Sequence, residues 1–151
     1  MTRRSLIALC FNVLVIVSAM SAFGAEPERG KALAPAEAPL AIVTVAGAPG
    51  DGEQALSSAL AKRLSGIGIK PATAFGANVY SVEGLVKVTA IKGGRESVRI
   101  DWTVFGPDGS TIGGVSQTKS VRKGSLSKRW GGAADAAARA AAGEIAKLIP
   151  R

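Results

Sequence analysis

The chain has 151 residues and no histidine, so the side chains left for chemistry are carboxylates, lysines, hydroxyls and Tyr80. Without an imidazole there is no Ser-His-Asp triad and no His-ligated metal. Cys10 is the single cysteine, which excludes a disulfide framework and a cysteine-cluster zinc site. The acids that the pattern brings nearest to one another are Glu83 and Asp101, on neighbouring extended stretches. Two carboxyl groups held roughly 5–9 Å apart in a cleft would do glycosidase chemistry. Here Arg99 stands beside Asp101 and Lys87 is within reach, so a cross-strand charge pair on an open sheet face accounts for them, and nothing in the pattern indicates a cleft. The residues call for no catalytic group, cofactor or metal, and a carboxylate-based cell-wall glycan hydrolase is kept as the alternative reading.

A second candidate fails on its own chemistry. Gly47-Ala48-Pro49-Gly50-Asp51-Gly52 lies between a strand and a helix, where phosphate loops occur. A phosphate loop needs Lys and then Ser or Thr after its second glycine. Glu53-Gln54 follow instead, and Asp51 and Glu53 would repel a phosphate. The segment is read as a turn with Asp51 as helix N-cap and Gln54 completing a capping box.

The third candidate is electrostatic. Lys119, Arg122, Lys123, Lys128 and Arg129 fall within eleven residues that contain no acid. A solvated loop would look the same. The functional reading is attraction to an anion: a lipid head group, a polyanionic glycan or an acidic protein. No nucleic-acid reading motif accompanies the cluster, so nucleic acid is not expected as a partner.

The elements that must position these residues follow from periodicity. Leu40–Val45 is a short β-branched strand. Ala55, Leu56, Ala59, Leu60, Leu64 and Ile67 form a helical apolar stripe, ended by Gly66 and Gly68, with Pro71 preventing its resumption. Asn78–Ile91 is extended, and Gly93-Gly94 signals a hairpin. Val98, Ile100, Trp102 and Val104 alternate with Arg99, Asp101 and Thr103, the clearest half-buried strand. Thr111–Val121 is a further strand with a bulge expected at Gly113-Gly114. Leu126, Trp130 and an alanine-rich run to Leu148 make the last helix. Trp102 and Trp130 are the expected core anchors.

The order β-α-β-β-β-α predicts an α+β two-layer sandwich. Its two helices lie on one face of a four-stranded, mainly antiparallel sheet, with a right-handed crossover between the first two strands.

Residues 1–24 have the layout of a secretory signal peptide: Arg3-Arg4, an apolar run through Ser5–Ala19, then small residues. A retained membrane anchor, lipidation at Cys10 and twin-arginine export are weaker fits, because small residues and Gly24 end the run and Leu9 precedes Cys10. Cleavage would remove Arg3 and Arg4, lowering the formal charge from +8 to +6. Residues 25–39 read as an Ala/Pro/Glu-rich linker, and residues 40–149 as the single domain.

The stretch Asp101-Trp102-Thr103-Val104, Pro107-Asp108-Gly109, Val115-Ser116-Gln117, Gly124-Ser125-Leu126 and Trp130-Gly131 resembles uncharacterised exported proteins and lipoproteins of alphaproteobacteria. More loosely, the element order is similar to the N-terminal domain of the Tol translocation protein and to outer-membrane activators of penicillin-binding proteins. The resemblance implies an interaction module rather than an enzyme, by analogy of fold.

The expectation is therefore a periplasmic, non-catalytic module that binds an envelope protein or an anionic envelope component. Its partner surface is expected at Arg99, Asp101 and Thr103 together with Lys119, Arg122, Lys123, Lys128 and Arg129. Peripheral or N-terminally anchored membrane attachment is a further alternative.

Overall fold

The computed structural model describes residues 37–151. The expected signal peptide, and the linker as far as residue 36, lie outside the described residues.

The elements run β1 (Leu40–Ala46), α1 (Gly52–Gly66), β2 (Lys70–Pro71), β3 (Val79–Ile91), β4 (Arg95–Phe105), β5 (Thr111–Arg122) and α2 (Gly131–Leu148). The sheet has five strands in the order β2-β1-β3-β4-β5, which corrects the four-stranded, mainly antiparallel expectation. β1 is parallel to both β2 and β3, whereas β3–β4 and β4–β5 are antiparallel. The sheet is therefore mixed. The strand missed by periodicity is β2, because backbone groups alone define it. Lys70 N–H donates to Pro39 O, and Ala72 N–H to Ala41 O. Between them Pro71 has no N–H to give, and it stands on an edge strand, where none is needed.

The helices supply one layer and the sheet the other. Leu56, Leu60 and Leu64 recur every fourth residue along α1 and are buried. They meet Val82, Val86, Val98, Ile100, Trp102 and Val104 of the sheet, all in one core cluster. From α2 come Ala134, Ala138, Ala141, Ala142 and Ile145, and the small alanines let the two helices approach closely. Trp102, only 1% exposed, is the largest fully buried side chain. It lies over Gly84, where a Cβ would stand 2.6 Å from the indole ring.

Two local expectations need correction. Ile67 leaves the helical stripe and is 39% exposed. α1 ends at Gly66, and Gly68 at φ 92° turns the chain so that Ile69 enters the core instead. The irregularity in β5 falls earlier than Gly113-Gly114. Phe105 pairs with Thr111 and Val104 with Gly113, so Ile112 is the extra residue.

The seat beneath Trp102 gives a clean test. Gly84→Ala is expected to cost about 1–3 kcal/mol in urea unfolding, as overpacking of a filled core does. Gly143→Ala, on an exposed turn of α2 with no atom near its added Cβ, is expected to stabilise by up to about 1 kcal/mol through helix propensity. A neutral Gly84→Ala would show that the indole does not rest on that backbone.

Candidate functional site: an open sheet face and a basic pole

The strand registers fix which side chains share the sheet face away from the helices. On β4 these are Arg95, Ser97, Arg99, Asp101, Thr103 and Phe105. Across the sheet they form rows: Ile91–Arg95–Arg122, Thr89–Ser97–Ser120, Lys87–Arg99–Thr118 and Leu85–Asp101–Ser116. Arg99, Asp101 and Thr103 thus lie together on the open face.

Asp101 is engaged within that face. It accepts from Ser116 Oγ at 2.6 Å and from Arg99 Nε at 2.9 Å and 3.0 Å through its two oxygens. The Ser116 hydroxyl first, and the Arg99 guanidinium second, hold the Asp101 carboxyl below its ordinary pKa of 3.8. Glu83 is opposite Thr103 while Asp101 is opposite Leu85, so the two acids are diagonal neighbours. Both line a shallow depression with Thr44, Ala46 and Leu85. A general acid needs its pKa raised, and Asp101 is pushed the other way. Among the described residues no group of three potential metal ligands is assembled.

The basic cluster divides over the edge of the sheet. Lys119 is opposite Val98, on the helix side, and lines a cleft of about 190 Å³ between β5 and α2. Arg122 is opposite Arg95, on the open side. Lys123, Lys128 and Arg129 stand on the connection between β5 and α2, and all five are exposed.

Hydrogen bonds to neighbouring loops shape that connection. Trp130 donates its indole N–H to Pro49 O and its backbone N–H to Asp51 Oδ1, each at 2.8 Å. Asp51 N–H donates back to Lys128 O at 3.1 Å. Asp51 thus makes no side-chain cap on its own helix, contrary to the capping-box expectation. Its carboxylate holds the start of the other helix. On the opposite side Lys123 N–H donates to Gly94 O, and Gly124 N–H to Glu96 Oε2.

These bonds gather one end of the domain. The β3–β4 hairpin adds Lys92 and Arg95, which the reading of the sequence missed. The Gly93-Gly94 turn signal, flanked by those two cations, could have located them. Both helices begin here, and each N-terminus carries about half a positive charge. The carboxylates of this end are already used by backbone donors: Asp51 by Trp130, Glu53 by Gly47 and Glu96 by Gly124. Among the described residues, Lys92, Arg95, Lys119, Arg122, Lys123, Lys128 and Arg129 enter no ion pair.

No protein-family model matches the sequence, and neither does any curated protein. The fold is similar to that of PelC from Paraburkholderia phytofirmans, which forms a dodecamer. A variant of PelC gives a TM-score of 0.50 at 18% identity, covering 76% of this chain and 88% of that one. A second crystal form gives 0.49 at 17%, covering 76% and 89%. A minor lipoprotein from Acinetobacter baumannii gives 0.44 at 14%, covering 76% and 97%. The likeness is one of fold. No helix among the described residues is long and apolar enough to cross a membrane.

The Asp101 network predicts a pH signature. With its folded pKa below 3.8, Asp101 contributes stability above its unfolded pKa and loses it as the pH falls through the folded one. The stability difference between wild type and Asp101→Asn is therefore expected to be constant from about pH 7 to about pH 5 and to shrink below about pH 4. Urea unfolding across that range measures it, and a difference unchanged down to about pH 2 contradicts the pairing.

Proposed function

We propose that the protein is an exported, periplasmic, non-catalytic module that binds an anionic partner of the cell envelope through the basic end of its domain. The observation that carries this reading is the concentration, around two helix N-termini, of cations that enter no ion pair among the described residues, where the nearby carboxylates of those residues are each bound to a backbone N–H. Like charges directly opposite one another in a sheet are destabilising, yet Arg95 faces Arg122. An anion bound across this end would relieve that repulsion.

The compartment rests on the signal-peptide layout of residues 1–24 and on the resemblance to exported alphaproteobacterial proteins. The open face joins the basic end without a break. Its rows of hydroxyls (Thr89, Ser97, Ser120) between cationic rows suit hydrogen bonding to anionic oxygens. The engagement of Asp101 by Ser116 and Arg99 supports a structural role for it on that face.

The test is retention on an immobilised soluble polyanion, such as polyphosphate or polyglutamate. Replacing Lys123, Lys128 and Arg129 together by Glu is expected to weaken retention at least about tenfold, with wild-type binding lost as salt rises towards about 1 M. Equal retention of wild type and charge-reversed protein would count against the proposal. Circular dichroism checks that the variant is folded.

A further inference from the structure

The hairpin that completes the basic end has a shape that a binder of soluble anions does not need. β1 ends at Ala46, opposite Leu85, so from Val86 onward β3 has no strand partner on that side. The ribbon of β3, β4 and β5 continues as three strands for six further residues of β3, about 20 Å at the usual strand rise, with Val86 and Val98 still buried on its helix side. At its tip Ile91 is 43% exposed. Lys92 follows it in sequence, and Arg95 and then Arg122 continue its row across the open face. Gly93 and Gly94, both at positive φ (76° and 65°), make the tight turn. Arg95 is held diagonally across β5, in the neighbouring row: its guanidinium donates to Ser120 Oγ at 2.8 Å and to Ser120 O at 3.0 Å. Lys123 N–H, bonded to Gly94 O, fixes a further cation beside the turn.

A large aliphatic side chain at the tip of the ribbon, flanked by cations that enter no ion pair among the described residues, is complementary to an anionic bilayer. The cations reach phosphate oxygens while the apolar tip enters the acyl boundary. Soluble polyphosphate gives Ile91 no acyl layer to enter. We infer that the partner of the basic end is the surface of an anionic phospholipid membrane, contacted by Ile91, Lys92, Arg95, Arg122 and Lys123 at the tip of the β3–β4 ribbon. This deepens the anionic-partner reading and rests on it.

Flotation with vesicles tests the inference. The full chain is mixed with phosphatidylglycerol-containing vesicles, with neutral phosphatidylcholine vesicles, and separately with soluble polyphosphate. The apolar N-terminal run is common to all variants, so the differences between variants report the tip. Wild type is expected to prefer the anionic vesicles in a salt-sensitive manner. Replacing Arg95 and Arg122 by Gln should lower that partitioning about 25-fold, at roughly fivefold for each cation near the surface. Ile91→Ser should lower vesicle partitioning several-fold while leaving polyphosphate binding unchanged, and Ile91→Trp should raise it, because Trp is favoured at the interface. Polyphosphate binding that falls with Arg95 and Arg122, without any preference for anionic vesicles, overturns the membrane inference and leaves the anionic-partner reading intact. Loss of neither overturns both. Vesicle binding indifferent to Ile91 overturns the insertion of the tip. All these positions are exposed, and unchanged urea midpoints confirm that the variants are folded.

Discussion

The basic end depends on Trp130. Its ring is buried against Pro49 and Gly52, and its two N–H groups tie the β5–α2 connection to the β1–α1 turn. The turn can approach so closely only because of two glycines. A Cβ at Gly50 would stand 2.5 Å from Lys128 O, and one at Gly52 would stand 2.4 Å from the indole Nε1. Gly50 also has φ 64°, which few other residues adopt without strain. A neutral hydrogen bond of this kind contributes about 0.5–1.5 kcal/mol net, and the bond to the Asp51 carboxylate about 1.5–3 kcal/mol. The clamp therefore holds two chain segments about eighty residues apart in sequence with interactions of ordinary strength at the half-buried edge of the core.

The charge distribution follows from this clamp. Joining the two turns puts the start of α1 beside the start of α2. It also turns one Asp51 oxygen towards a backbone donor in place of a cation. Glu53 and Glu96 are drawn into the same service, one closing the β1–α1 turn and the other the β5–α2 connection. Ion pairs do form elsewhere, with Asp135 accepting from Arg63 and Glu144 from Lys147. The chain thus has acids close to cations on its helices and withholds them from the end where both helices begin. A surface charged merely for solubility would intersperse the two signs.

Much of the fold was legible because one face of the sheet is dry. The alternation along β4 placed Val98, Ile100, Trp102 and Val104 on one side and Arg99, Asp101 and Thr103 on the other, since burial acts on side chains with a period of two. Where backbone bonds rather than side chains decide, the pattern was silent. β2 is defined by two amide–carbonyl bonds around a proline, and Asp51 has the side chain of a helix cap but serves a donor on the far side of the clamp. The site was half legible for a related reason. Nearness in sequence grouped Lys119 with Arg122, although odd and even positions of one strand point to opposite faces. Lys92 and Arg95 belong with Arg122 through pairing across strands, which nearness in sequence does not reveal.

That division assigns the cations different work. β5 is an edge strand twelve residues long, without proline, and its outer backbone groups have no strand partner among the described residues. Such an edge is a template for unwanted pairing unless something blunts it. Lys119 does so. It stands on the helix side of the sheet, opposite buried Val98, where an apolar residue would otherwise complete the inner face. Its aliphatic stem lines the cleft between β5 and α2, and its exposed ammonium stays in water. A second sheet or strand docking there would have to bury that charge without a partner, at a cost of several kcal/mol. Lys119 is thus explained by protection of the edge alone. Arg95 is not: it lies on the open face of the inner strand β4, opposite the like charge of Arg122. The case for an anionic partner therefore rests on the open face, the hairpin tip and the β5–α2 connection, and the inward lysine is not part of it.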